Sequence, residues 1–490
     1  MSAEAERETI SKPTGEEIEG KSLKDNGNQA KDHTYKLVLK KRGSSRKKIR
    51  YRSQQIYPKN NLESVILEES RVQGESKNQE GEGEGAVPVI TPKEMEMRKK
   101  KALSKFKCMV ENAIVESFLV EKPRKSLSKK DVQKVRQQQK EISLWGVPLL
   151  PSKGHECTDT VLLKFLVAND FRVHDAFEML RSTLKWRREH KIDGILEEEV
   201  EPDLEKVVYI NSVGKNGQPL YYNVYAAFKD KELYDRVFGT EESQEKYLRW
   251  RIRFLEQCIK HLSFKPGEPN SILQVTDLRN SPGPEMKEFR SCAEKAFMHM
   301  KSYYPEIIEK TIIINVPFWY YTSHFLTSKL ISKSTKRKLI LVRPSKVSQT
   351  LLKYISPENL PAEYGGLKRE NDAEFSPEDE VLETSVRPSS TGCIKIPVPE
   401  AGVTVLWDLT VVGWDVTRKE EFVPDDEGSY RVLLAKEYRK MGESVSNSFY
   451  ISEPGNIVIN IENASLKKKR VYYRYKSKPT TPAYFLNQQT

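Results

Sequence analysis

The sequence is poor in what enzymes and membrane-spanning proteins need. Its 490 residues contain no run near the roughly 18 to 20 apolar residues of a transmembrane helix. The start, "MSAEAERETI", lacks the basic-then-apolar order of a secretory signal, so the expectation is a cytoplasmic protein, peripheral to membranes. Five cysteines (Cys108, Cys157, Cys258, Cys292 and Cys393) are scattered, with no C-x-x-C, which argues against a disulfide framework and against a zinc site. Seven histidines stand singly among expected helices and loops. No G-x-S-x-G, H-E-x-x-H or G-x-x-x-x-G-K-[ST] occurs, so no catalytic residue, metal or cofactor is expected. The glycine-rich "GEGEGAVPV" from Gly81 follows no strand, and its glutamates repel phosphate. Asn463-Ala464-Ser465 matches a glycosylation acceptor and reads as a chance match.

What the chain does have is charge. Acids and bases make up 31% of it, and the net charge of +12 calls for an anionic partner. One basic block holds Lys40, Lys41, Arg42, Arg46, Lys47, Lys48, Arg50 and Arg52 without an acid; a second opens with Lys467, Lys468, Lys469 and Arg470. Stacking aromatics are sparse in the first block, which favours an anionic membrane surface over nucleic acid.

Residues 1–92 carry too few apolar side chains to offset the entropy of ordering them, and are expected to be disordered. From Lys93 the composition turns helical, with Leu103, Phe106, Val110, Ile114 and Phe118 spaced for one face that docks on a domain. Val173, Phe177, Leu180 and Leu184 mark the second of two further helices. Apolar strands ("PLYYNV", "SILQVTDL", "TIIINV", "KLILV") then alternate with helices, which reads as parallel strands joined by crossovers. Near Asp372 short β-rich runs separated by "DDEG" and "EPGN" take over, and a β-sandwich is expected.

Several of these stretches carry a resemblance. "LLKFLVANDFRVHDAFEMLRSTLKWRREHKID" resembles the N-terminal helical part of CRAL-TRIO lipid-binding proteins, and "YYPEIIEKTIIINVPFWY", "KLILV" and "SPENLPAEYGG" resemble their ligand-binding lobe. "VTVLWDLTVVGWDVTRKEEFVP", "SYRVLLAK" and "FYISEPGNIVINIENASLKKKRVYYRY" are similar to a GOLD domain. This order, after a charged N-terminus, is that of the patellins. The resemblance implies an α/β CRAL-TRIO lipid-binding domain with a helical N-terminal subdomain, an all-β GOLD sandwich and a disordered N-terminal region. It divides the chain into 1–92, a helical linker 93–141, a helical subdomain 142–195, a lobe 196–370, a sandwich 372–478 and a tail 479–490.

The function that the resemblance implies is non-enzymatic binding and transfer of phospholipids, often phosphoinositides, at membranes during vesicle traffic and cell-plate formation, with protein partners reached through the GOLD domain. Residue by residue, it assigns the inositol headgroup to Glu306, Lys338 and Thr335. The lipid gate and cavity fall to Phe318, Trp319, Phe325, Leu326, Leu330 and Ile331. Two departures matter. Where the family's early helix reads F-L-R-A-R, this chain has Phe165-Leu166-Val167-Ala168-Asn169, and asparagine cannot supply the guanidinium fork that grips phosphate. Ile272 and Gln274 stand where choline-lipid binders use small hydroxyl residues. The resemblance therefore implies looser inositol-lipid binding and no choline-lipid site.

Overall fold

The computed structural model describes residues 91–120, 137, 140–199, 204–282, 286–317, 337–413, 415–439 and 445–480. Its first helix, α1 (Pro92–Val115), begins where the sequence supplies a stop-start signal: Thr91 accepts from the Glu94 N–H at 3.3 Å and the Glu94 carboxylate reaches back to the Thr91 N–H at 2.9 Å, with proline at the first helical position. The stripe of Phe106, Val110 and Ile114 is buried, and the helix lies on α2 (Thr158–Ala168) and α3 (Val173–Glu189), as its spacing predicts. A two-stranded ribbon, β1 (Ser143–Leu144) and β2 (Val147–Pro148), completes this subdomain.

The lobe is a five-stranded sheet in the order β3 (Val208–Val213), β4 (Pro219–Val224), β5 (Ile272–Asp277), β6 (Ile308–Ile314) and β7 (Leu339–Leu341). The pairs from β4 to β7 are parallel, whereas β3 runs antiparallel to β4. The four strands expected to be parallel are so; the additional β3 is joined to β4 by a hairpin, closed by Lys215-Asn216-Gly217 with Gly217 at φ 79°, that helix-strand alternation alone does not reveal. The crossovers are α4 (Lys231–Phe238) with α5 (Glu241–Ile259), and α6 (Lys287–Tyr303). Alternate residues serve opposite faces. Tyr221 and Ile272 join the core under α5 and α6, while Leu220, Tyr222, Leu273, Val275, Ile312 and Ile314 pack with α7 (Val347–Leu351) on the other side.

The C-terminal part is a sandwich of eight strands: β8 (Leu382–Val386), β9 (Ser390–Val398), β10 (Val403–Val411), β11 (Val416–Pro424), β12 (Val432–Arg439), β13 (Val445–Ile451), β14 (Gly455–Asn463) and β15 (Lys469–Pro479). They form two antiparallel sheets, β13-β10-β15-β8 and β12-β11-β14-β9, around Ile396, Trp407, Leu409, Ile457, Ile459 and Val471. On β11 an inward position is filled by Glu420, which accepts from Trp407 Nε1 at 3.0 Å and Asn447 Nδ2 at 2.9 Å and pairs with the buried Arg418. Asn463 is also fully buried, its amide donating to the carbonyls of Arg387 and Lys467, so the glycosylation triplet is inaccessible.

Sandwich and lobe are joined by charge. Arg369 meets Asp408 through two bonds of 2.7 and 2.6 Å, and Arg474 reaches Asp408 at 3.0 Å and the carbonyls of Leu367 and Ser376 at 3.0 and 2.9 Å. Tyr472 of β15 lies in the same apolar cluster as Tyr364 and Leu367 of the lobe.

Candidate functional site

The amino edge of the lobe sheet brings together two of the three headgroup candidates, Glu306 and Lys338. Pro305 cannot continue α6, and the chain turns through Tyr304 and Glu306 before entering β6. Two tyrosines hold that turn: Tyr303 stacks on Trp186 with centroids 4.3 Å apart, and Tyr304 donates to Glu256 at 2.6 Å, which also pairs with the buried Arg187. Glu306 sits at φ 56°, the left-handed region that a side chain rarely adopts. Its carboxylate accepts from Lys338 Nζ at 2.6 Å. Lys338 lies immediately ahead of β7, so two neighbouring parallel strands deliver the pair to one edge. Both side chains are half-buried.

The sequence reading passed over a third member. Lys164 of α2 is only 5% exposed and donates at 2.9 Å both to the Glu306 carbonyl and to Asn270 Oδ1. It ties the helical subdomain to the turn that carries Glu306. Burial pushes its ammonium down to about 8, against the opposing pull of the Glu306 carboxylate. A signal was present: one lysine inside the apolar run "VLLKFL", flanked by buried Leu162 and Phe165.

Asn169, which stands in place of the family's arginine, caps α2. Its amide donates to the Phe165 carbonyl at 2.9 Å and contacts Met179 Sδ at 3.1 Å. At about 100° per residue it lies roughly 140° around the helix from Lys164. Gln274 is buried on β5 and its carbonyl accepts from Thr311 at 3.4 Å, while Ile272 is plain core.

The remaining candidates divide. Thr335, Phe318, Trp319, Phe325, Leu326, Leu330 and Ile331 lie outside the described residues, as does the block from Lys40 to Arg52. In the second basic block, Lys467 and Lys468 are exposed beside Leu466. Lys469 is not a surface cation: it is buried and donates to the Gly413 carbonyl at 3.1 Å, because β15 begins there and turns its side chain inward. Arg470 is half-buried and bonds the Tyr472 hydroxyl at 2.9 Å.

Residues 204–366 match the CRAL/TRIO domain, residues 121–182 the CRAL/TRIO N-terminal domain, and residues 387–469 the Patellin-1-like, C-terminal GOLD domain. Patellin-6 of Arabidopsis thaliana is 40% identical over 70% of this chain and 84% of its own length. The chain belongs to the patellin family. Patellin-4 of the same plant is 47% identical over 69% of this chain, which spans 62% of that relative's length. A phosphatidylinositol transfer protein of Candida albicans, SFH5, is 26% identical over 44% of this chain and 69% of its own. The fold follows: a CRAL-TRIO domain with its helical N-terminal part, then a GOLD sandwich. Among the described residues no helix is long and apolar enough to cross a membrane, and no cluster of metal-ligating side chains occurs.

Proposed function

We propose that this chain binds a phospholipid in its CRAL-TRIO lobe and carries or presents it at membrane surfaces, without catalysing a reaction. The observation that carries the reading is the Glu306–Lys338 contact of 2.6 Å at the amino edge of the sheet. A carboxylate with a free oxygen accepts the hydroxyls of an inositol ring, and an ammonium with two further protons donates to its phosphate. The transfer activity named for the Candida relative supports the same direction. We assign Thr335 to the headgroup and Phe318, Trp319, Phe325, Leu326, Leu330 and Ile331 to the gate over the acyl chains. Burying an acyl chain is worth about 0.8 kcal/mol per CH₂, so the chains need such a cover. The basic residues from Lys40 to Arg52, with Lys467 and Lys468, provide the attraction to an anionic leaflet. Vesicle traffic and cell-plate formation are the cellular setting we assign.

The test is uptake from vesicles containing phosphatidylinositol. Replacing Glu306 and Lys338 together by alanine is expected to lower inositol-lipid uptake at least tenfold with the melting temperature little changed; equal uptake removes the pair from the headgroup site. A second reading, a membrane-recruited scaffold, draws on the edge strand β12, where Val432, Leu433 and Tyr438 are exposed. It becomes the better reading if the intact chain takes up no lipid yet retains a partner through this edge.

A further inference from the structure

Arg251 of α5 is a buried cation with no anion beside it among the described residues. The residue is 7% exposed, and its one hydrogen bond among the described residues is from Nη1 to Asn223 Oδ1 at 2.6 Å. Asn223 is committed in turn to Thr276, donating from Nδ2 at 3.1 Å. The guanidinium lies 5.6 Å from the ring centre of Tyr221, and the titratable groups around it are Tyr221, Tyr225, Tyr247 and Cys258. Burial pushes the Cys258 thiol up to about 12, so it stays neutral and is no counter-ion. Among the described residues no carboxylate pairs with Arg251. The contrast within the same protein is sharp: Arg187, Arg418 and Arg474 are equally buried, and each has a carboxylate.

A guanidinium carries five donors in a fixed fork and cannot shed its proton to escape burial. Holding one inside an aromatic core with a single neutral acceptor is costly unless an anion completes it. We propose that Arg251 is the anchor of an interior anion subsite in the lobe, which takes the phosphate group of an acidic amphiphile whose apolar body packs against the surrounding aromatic side chains. Asn223, Thr276 and Gln274 lie on the same face of β4 and β5, and with Thr311 of β6 they give that face a polar floor. The subsite is separate from the Glu306–Lys338 edge. Asn223 and Thr276 are the penultimate residues of their strands and Thr276 is level with Ile313, seven residues beyond Glu306 on β6, a span of roughly 20 Å.

This inference rests on the carrier reading, and the experiment separates the two. Full-length protein is incubated with vesicles of equal parts phosphatidylcholine and phosphatidic acid, re-isolated, and its lipid identified by mass spectrometry. Wild type is expected to enrich phosphatidic acid over phosphatidylcholine. Arg251→Met is expected to lose that preference at least tenfold, and its lipid-free form to melt no lower than wild type, because an unpaired buried charge has been removed. Asn223→Asp, nearly isosteric, supplies an internal counter-ion and is expected to abolish the preference while keeping the fold. An unchanged ratio of acidic to neutral lipid in both variants overturns the subsite and leaves the carrier reading standing. Uptake of neither lipid by wild type that still takes up phosphatidylinositol from vesicles overturns the subsite alone, and uptake of none of the three overturns both. If inorganic phosphate alone raises the melting temperature of wild type and not of Arg251→Met while no phosphatidic acid is taken up, the site holds a free anion and the amphiphile assignment falls.

Discussion

Lys164 shows most clearly how one residue joins structure to pH. Its folded-state value, about 8, lies below the 10.5 of an exposed lysine, so between those values the unfolded chain binds the extra proton. Stability contributed at this site is therefore flat below pH 8 and rises with pH from about 8 to 10.5, by at most about 3 kcal/mol for the full shift. Urea midpoints at pH 7.5 and 9.5 are expected to rise for wild type relative to Lys164→Met; a parallel response of the two proteins contradicts the assignment. Asn169 invites a second test. Because its amide caps α2, Asn169→Arg is expected to change thermal stability and leave the ratio of bound lipids unchanged; a selective gain in inositol-lipid uptake puts that position at the phosphate after all. At this scale the sequence was partly legible. Glu306 and Lys338 were recognisable from their motif and do meet; Lys164 was signalled only by its place in an apolar run, and Arg251 was hidden, because nothing in a helical pattern tells a cation on the surface from one in the core.

Elements were legible wherever burial was regular. The apolar stripe of α1 predicted its docking, and Phe106→Ala, at a fully buried position, is expected to cost about 3 to 5 kcal/mol. Urea unfolding followed by circular dichroism measures it, and a loss under 1 kcal/mol means that the helix is not docked in solution. Strand β5, buried along its length, and the Ile312–Ile314 end of β6 stood out as apolar, although Gln274, Thr276 and Thr311 interrupt the runs. The antiparallel β3 and the strand β11 did not stand out: β3 is half-exposed at most positions, and β11 places Arg418 and Glu420 where alternation calls for apolar side chains. The turn after α7 is a further case. A Cβ added at Gly366 would stand 1.9 Å from the Leu360 carbonyl oxygen, so Gly366→Ala is expected to destabilise by about 1 to 3 kcal/mol, read as a lowered urea midpoint.

For the whole molecule, the joint between lobe and sandwich lay beyond sequence reading, since the pairing of Asp408 with Arg369 and Arg474 depends on how two domains meet. Asp408 is fully buried, and removing it leaves the Arg369 and Arg474 guanidinium groups their longer pairings with Asp372, at 3.6 and 3.5 Å, so Asp408→Ala is expected to cost about 3 kcal/mol and to split thermal unfolding into two transitions. A single unshifted transition contradicts a fixed joint. Attraction to membranes belongs to this scale as well: with Lys467 and Lys468 replaced by glutamine, pelleting with acidic vesicles is expected to fall at low salt and to match wild type at high salt, where surface charge is screened. The most direct measurement of the central claim is native mass spectrometry of the intact chain after incubation with mixed phospholipid vesicles. The account predicts about one phospholipid per chain, with the inositol-lipid fraction lost on replacing Glu306 and Lys338; a chain that emerges with no lipid bound contradicts it.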